Sequence, residues 1–448
     1  MTETNRNKNH PRETLADSQV ENAEEQKKTL GTLSTLSIGI GGMVGGGIFA
    51  TTGLAVQLTK GAVPIVFVVA GIVALLTAYS YLKLTLCYPS QGGTVDFINR
   101  AFGSGTLAGG ANILLCFSYI VLIAIYAHAL GNYAASFFPA TEFQFWRHAF
   151  ITGALILLTL LNVFGGKSIV RSENALNATK MLILLVFVAF GLYLPINWEQ
   201  LQPHNYVGSM AIVSGAMIVF FNYEGFELIA NSAHEVRDRK RSLPVAYIGG
   251  VLLVIPVYVL IAIITVGHLS FPEIAAVSNH ALTAVASKLM GPAGHIMIAL
   301  AAVLACSSAI NATLLSAGRL TATIARSGEL PKELAREFRG RPLEGTLIFA
   351  VGAIFIANFL PLGALATMGS AGFLFIFMAV NWANVVLHRE TSSPRWISLL
   401  GAGCCGAAII LLCMEVDENP ATENQLWIVS GTILLSFVIE IVYRHWRR

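Results

Sequence analysis

Two stretches of the chain place glycines or acidic residues inside long apolar runs. Residues 38–49 read IGIGGMVGGGIF, with six glycines, and residues 219–230 read VFFNYEGFELIA. A glycine in a helix interior costs about 1 kcal/mol relative to alanine, so each stretch predicts a break in a helix. At such a break the freed N–H groups suit a carboxylate, and the freed carbonyls suit an ammonium group. Together these two groups predict a site for an amino acid.

Long apolar segments must position the two breaks. The chain has 448 residues, of which 55% are hydrophobic and only 12% charged, and its mean hydropathy is +0.67. Soluble proteins carry roughly twice that share of charge, so the composition predicts a membrane protein. Segments long enough to cross a hydrocarbon core of about 30 Å are predicted at twelve places. They lie near residues 34–57, 62–87, 107–136, 147–165, 173–195, 208–231, 243–267, 292–324, 344–361, 362–387, 396–415 and 424–443.

The positions of lysine and arginine predict the orientation. With the N-terminus inside, only Lys60, Arg147 and Lys288 of the 28 basic residues fall on the outer side. This bias predicts that both termini lie in the cytoplasm. The expected location of the protein is the cell inner (plasma) membrane. The basic balance thus reflects topology and argues against a nucleic-acid partner. The polar residues 1–30 predict a disordered cytoplasmic tail.

The sequence offers little for an enzyme. It contains no phosphate-binding loop, metal cluster or nucleophile elbow, and its short loops leave no room for a soluble catalytic domain. The six cysteines form no CxxC pair, so neither a disulfide framework nor a zinc site is expected. We expect no catalytic residue, no bound metal and no cofactor.

The two breaks occupy corresponding positions in the order of segments. One lies in the first segment and the other in the sixth, so both open a repeat if segments 1–5 and 6–10 are inverted repeats. Interrupted segments at corresponding positions indicate the central binding site of a transporter. The alternative for the glycines is close helix packing, which Gly41 and Gly45 fit. Packing alone explains the run Gly45–Gly47 and the matching second break less well.

Four stretches together resemble the amino acid–polyamine–organocation (APC) transporter superfamily. They are IGIGGMVGGGIF at 38–49, YLKLTLCYPSQGG at 81–93, FFNYEGFELIANSAHEVRDRKRSLP at 220–244 and NATLLSAGRLTATIARSGELPKEL at 311–334. The first resembles the family's glycine-rich first helix, and the others resemble the end of helix 2, helix 6 with its loop, and helix 8 with its loop. The resemblance extends from about residue 30 to 443.

The resemblance implies an all-α integral membrane protein of twelve helices in a 5+5 inverted repeat, with discontinuous helices 1 and 6. The repeats would span 31–195 and 208–388, two further helices would lie within 396–443, and 444–448 would be a cytoplasmic C-terminus. It also implies alternating access around a site at the membrane midplane. The partners expected are a small amino acid and the lipid bilayer, and a homodimer stays open.

The resemblance also assigns substrate-binding residues. The substrate's carboxylate would bind the backbone of Gly45, Gly46, Gly47 and Ile48. Its amine would bind carbonyls around Met43, Phe221 and Glu224. Phe221 would close over the substrate from outside, although an ordinary core aromatic is the alternative. The full set of substrate residues comprises Met43, Gly45, Gly46, Gly47, Ile48, Phe221, Asn222 and Glu224.

Lys180 lies deep in the fifth segment, where a charge is expensive and suggests function. The resemblance implies that it replaces a sodium ion, with its ammonium bridging helix 1 near Gly42 and helix 8 near Ser307 and Ser308. The proton is then the expected coupling ion, and sodium is not excluded. The alternative is that Lys180 extends to the cytoplasmic surface.

Two acidic residues lie at the second break. Glu224 could bind the substrate's side chain, carry a proton or cap the broken helix, whereas Glu227 is expected to anchor the second half of helix 6. The leading hypothesis is a secondary transporter of amino acids, coupled to protons or working by exchange. Two alternatives are a polyamine or organocation transporter and a sensor that binds without transporting.

Overall fold

The computed structural model of the protein describes residues 29–164, 168–338, 341–418 and 423–447. The predicted tail at 1–30, apart from its last two residues, lies outside these ranges, as does the final residue of the predicted C-terminus. Helices dominate the described part, as the composition predicts. Two short strands, β1 (Glu337–Phe338) and β2 (Arg341–Pro342), form an antiparallel pair.

The helices are α1 Thr32–Met43, α2 Gly47–Thr59, α3 Val63–Cys87, α4 Thr94–Phe102, α5 Thr106–Ala135, α6 Phe143–Phe164, α7 Ser168–Tyr193, α8 Ser209–Val219, α9 Glu227–Ser232, α10 Arg239–Pro244, α11 Gly250–His268, α12 Phe271–Ala276, α13 Ala281–Ser327, α14 Leu343–Phe359, α15 Leu362–Val386, α16 Arg395–Glu418 and α17 Glu423–Arg447.

Within the described part, ten helical stretches are long and apolar enough to cross a membrane. The pair α1 and α2 meets the same test when taken together, with a bend of 41° between them, and α14 is a shorter apolar helix. Each of the twelve predicted segments coincides with one of these stretches. The number of crossings and the inverted repeat stay predictions.

The first break separates α1 from α2. Helix α1 ends at Met43, its C-cap Val44 leaves the helical region at φ −82° and ψ 52°, and α2 begins at Gly47. The predicted break therefore lies between Met43 and Gly47.

The second break has a different backbone. Helix α8 ends at Val219 and continues as one 3₁₀ turn, Phe220–Tyr223, after which Glu224 is extended at φ −68° and ψ 154°. Gly225 follows at φ +122°, a conformation that only glycine adopts readily. Helix α9 then begins at Glu227. The break predicted in the sixth segment is confirmed.

Helix α5 lies at the centre of the structure and packs against α6, α13, α14, α15 and α17. Outer helices expose apolar side chains instead, among them Leu157 and Phe164 on α6 and Leu434 and Ile441 on α17. Such faces suit lipid.

The start of α1 is joined to the chain that follows α9. The N–H of Leu30 donates to the carbonyl of Glu235, and the N–H of Arg237 donates to the carbonyl of Leu30, each at 3.1 Å. Thr32 and Ser242 share a hydroxyl hydrogen bond of 2.8 Å. The first half of one broken helix, α1, is therefore connected to the chain that follows the second half of the other, α9.

Candidate functional site

The two breaks meet at a pair of glycines. A Cβ atom on Gly42 would lie 2.5 Å from the Cα atom of Gly225, and a Cβ atom on Gly225 would overlap the backbone of Gly42 and Met43. No side chain fits at either position. The interrupted helices thus cross through backbone contact at the point where each loses its regular hydrogen bonds.

The run Gly45–Gly47 is tightly packed against other helices. A Cβ atom on Gly45 would lie 2.9 Å from that of Ala309, and one on Gly46 would lie 2.8 Å from both the sulfur of Cys306 and the ring of Tyr126. A Cβ atom on Gly47 would overlap the side-chain amide of Asn222. Packing therefore explains all three glycines, and the expectation that it would explain them poorly was wrong.

The same glycines also begin helix α2. Gly46 is its N-cap and Gly47 its first residue, and the first N–H groups of a helix have no partner within it. These N–H groups form the kind of anion site that the resemblance implies. Binding of a carboxylate by Gly45, Gly46, Gly47 and Ile48 stays a prediction.

Side-chain hydrogen bonds join the second break to both halves of the first. The hydroxyl of Tyr258, on α11, donates to the carbonyls of Met43 at 2.6 Å and Asn222 at 3.1 Å. The amide of Asn222 donates to the hydroxyl of Thr51, on α2, at 2.7 Å. The carbonyl of Met43, which the resemblance assigns to the substrate's amine, thus already accepts one hydrogen bond.

Tyr258 was not predicted from the sequence. It lies in the apolar run IPVYVLIAII, where a tyrosine has no feature that separates it from other core aromatics. Only its position between the two breaks gives it a role. Phe221 and Ile48, which were predicted, are fully buried beside the breaks, and their contact with a substrate stays a prediction.

Lys180 reaches the first broken helix. Its side chain is 1% exposed, and its ammonium group donates to the carbonyl of Gly41 at 2.9 Å. The alternative that it extends to the membrane surface is therefore wrong. The contact is one residue before the predicted Gly42.

The other predicted contact of the Lys180 ammonium is with Ser307 and Ser308 on helix α13. Helix α7, which carries Lys180, packs against α13, where Ser308 is buried and Ser307 is partly exposed. Contacts from Lys180 to these two serines stay a prediction.

The two acidic residues of the second break are in different situations. One carboxylate oxygen of Glu227 accepts the N–H of Gly225 at 2.6 Å, which is the anchoring role expected for it. Glu224 is fully buried, and neither of its oxygens has a hydrogen-bond partner within the described residues. A buried carboxyl group without a partner is costly, so Glu224 is suited to receive a proton or a cationic group.

Comparison with known proteins identifies the family of the chain. The family model described as amino acid permease matches residues 30–438. The inner membrane transport protein YbaT of Escherichia coli (strain K12) is 30% identical over 93% of this chain and 96% of its own length. The branched-chain amino acid permease BcaP of Bacillus subtilis (strain 168) is 25% identical over 91% and 92%. Cationic amino acid transporter 1 of Arabidopsis thaliana is 25% identical over 93% and 73%.

The apolar helices of the described part, two of them interrupted, are those of a helical membrane protein. This chain belongs to the amino acid permease family of the APC superfamily. It is a multi-pass membrane protein that transports amino acids. Its family and its relatives are transporters rather than enzymes.

Proposed function

We propose that the protein is a secondary active transporter that moves amino acids across the inner (plasma) membrane by alternating access. The observation that carries this proposal is the backbone contact of the two breaks at Gly42 and Gly225. The hydroxyl of Tyr258 donates to the backbone carbonyls of Met43 and Asn222, and the side chain of Asn222 donates to that of Thr51. A substrate held there would therefore touch both broken helices at once. Such a substrate can link the movement of one helix to that of the other.

The proposed coupling group is Lys180. Its ammonium group donates a hydrogen bond to the carbonyl of Gly41, near the end of the first half-helix. In this position it neutralises carbonyl dipoles as a bound cation would. If Lys180 releases its proton in each cycle, amino acid uptake follows a proton gradient. If it stays charged, the carrier returns only with a substrate and works by exchange.

The unpartnered Glu224 favours a second candidate, a substrate with a cationic side chain. The chain is similar to a plant protein named as a cationic amino acid transporter, as well as to one named as a branched-chain amino acid permease. A polyamine would also suit Glu224, but it has no carboxylate for the start of α2. A sensor with this fold would bind amino acids without moving them.

Uptake into proteoliposomes tests the proposal. Purified protein is reconstituted, and a labelled mixture of amino acids is supplied in sodium-free buffer under an inward proton gradient. Uptake above vesicles without a gradient indicates proton-coupled transport. Uptake only into vesicles preloaded with unlabelled amino acids indicates exchange.

The same assay separates the alternatives. Uptake that appears only when sodium is added contradicts Lys180 as the substitute for sodium. Amino acid binding without uptake in any of these conditions indicates a sensor. Labelled polyamine uptake without amino acid uptake contradicts the proposed substrate class.

A further inference from the structure

A second polar site lies far from the two breaks, where α13 and α17 end. A cavity of about 310 Å³ is lined there by Glu329, which follows α13, and by Glu440 and Arg444 of α17. Ser104, just before α5, lines it too. The predicted topology puts this cavity on the cytoplasmic side.

Three buried oxygen atoms in or beside the lining of this cavity have no hydrogen-bond partner within the described residues, and two of them belong to the lining residues Glu329 and Glu440. They are Oε1 of Glu329, Oε2 of Glu440 and Oδ1 of Asn112. The exposed fractions of these residues are 3%, 1% and 0%. All three atoms are acceptors, so what is missing is a donor or a cation.

The amide of Asn112 and the guanidinium of Arg444 already donate hydrogen bonds within this cluster. The amide of Asn112 donates to Glu329 at 2.7 Å and to Asn99 at 3.1 Å. Arg444 donates to the other oxygen of Glu440 at 2.9 and 3.1 Å, and to the carbonyl of Ser104 at 3.0 Å. Among the described residues that line the cavity, two carboxylates and one arginine leave one negative charge in excess.

We propose that this cavity binds a hard monovalent cation, sodium or potassium, between Glu329 and Glu440. Hard cations bind oxygen ligands such as carboxylates, and Glu329 and Glu440 each supply an unpartnered carboxylate oxygen here. The absence of sulfur or imidazole among these atoms makes the site unsuitable for zinc or copper. A single positive charge balances the excess, and a water needs only about 30 Å³, so the cavity has room for the ion with part of its hydration shell.

The bound cation would join two parts of the chain, because Glu329 follows α13 and Glu440 belongs to α17. Asn112 of α5 is linked to the site through its hydrogen bond to Glu329. A ligand that binds only the folded protein stabilises it by mass action, so this cation should raise the unfolding temperature. It is not required to be transported, and the site is separate from the proposed coupling group Lys180.

Thermal unfolding of the purified protein tests the proposal. N-methyl-D-glucamine chloride is replaced by sodium or potassium chloride at constant ionic strength and pH. We expect a saturable rise of about 2 °C in the unfolding temperature. Glu440→Gln and Glu329→Gln should each abolish the rise. Glu199→Gln, at an exposed turn, is the matched control and should keep it.

Binding of ²²Na⁺ by equilibrium dialysis, with unlabelled potassium as competitor, gives a second readout that does not depend on the unfolding temperature. Wild-type protein should bind the ion, and any glutamine variant that folds should not. The proposal is overturned if neither ion stabilises wild-type protein, if both glutamine variants keep the rise, or if only magnesium or calcium stabilises. Stabilisation by acidification with no cation dependence would show that the two carboxyls share a proton. None of these results depends on amino acid uptake.

Discussion

The two breaks differ in what they present to a ligand. The first, at Val44–Gly46, consists of backbone and apolar or absent side chains, and its charged neighbour Lys180 comes from another helix. The second carries two carboxyl groups of its own, of which Glu227 is bonded to the backbone and Glu224 is not. Both breaks interrupt helices, but only the second adds charge.

This difference separates two tasks of recognition. Backbone N–H and carbonyl groups can bind only what all amino acids share, the carboxylate and the amine. A side chain such as Glu224 can distinguish one substrate side chain from another. The comparison therefore predicts that changes at the first break affect every substrate alike, whereas changes at Glu224 affect selectivity.

The largest effect is expected where the breaks touch. Gly225→Ala would place a methyl group against the backbone of Gly42. It would also hold an alanine at a positive φ, and this backbone strain alone costs of order 1–3 kcal/mol. We expect a lower unfolding temperature and no uptake of any amino acid. Gly431→Ala, where the added methyl meets no atom, is the control and should retain both. Normal uptake by Gly225→Ala would contradict the crossing contact.

Lys180→Ala is expected to affect coupling. It removes a charge-assisted hydrogen bond to Gly41, of a kind that contributes about 1.5–3 kcal/mol. Gradient-driven accumulation should fall by roughly tenfold or more for all substrates, because 1.36 kcal/mol corresponds to tenfold. Lys288→Ala, at an exposed lysine near Glu273, serves as control and should accumulate normally. Unchanged accumulation by the Lys180 variant would remove the coupling role.

Glu224→Gln sharpens the comparison because it keeps the shape of the side chain and removes its charge. If Glu224 binds a cationic side chain, uptake of lysine should fall roughly tenfold relative to norleucine, its neutral analogue of similar length. Competition between the two labelled amino acids in proteoliposomes measures this ratio. An equal loss for both substrates would instead indicate that Glu224 carries a proton. An unchanged ratio and rate would leave it with neither role.

The smallest effect is expected for Tyr258→Phe. The change removes the hydroxyl that donates to Met43 and Asn222, and one neutral hydrogen bond contributes about 1 kcal/mol. We expect a modest fall in unfolding temperature and in uptake rate, equal for all substrates. Tyr206→Phe, whose hydroxyl donates to the carbonyl of Leu201 outside the breaks, is the matched control for uptake. A change in selectivity would contradict a role shared by both breaks.

Much of the helical fold could be predicted because a membrane helix must be apolar over its whole length. The breaks were also visible, since glycine clusters and acidic residues conflict with that rule. The helical residues before the eighth segment were not. That segment was predicted to begin near residue 292, which agrees with the non-helical Gly291 at φ +65°, but the helical residues from Ala281 up to this kink were not predicted.

The site could be predicted only where a residue conflicts with its surroundings. Lys180 is a charge in an apolar helix, and its unusual position revealed it. Tyr258 resembles any buried aromatic, so its hydrogen bonds required the structure. The packing of Gly46 against Cys306 and Tyr126 was also invisible, because these partners lie far away in the sequence and meet only when the helices are assembled.

The contact between Gly42 and Gly225 joins residues that the ribosome makes at different times. About 180 residues separate them, which at about 5–20 residues per second takes roughly 10–40 s of synthesis. Until Gly225, Asn222 and Tyr258 have been made, the first broken helix lacks the groups that later cover its exposed backbone. Uncovered backbone is costly in hydrocarbon. The groups that cover the backbone of the first break are therefore complete only after more than half of the chain has been translated.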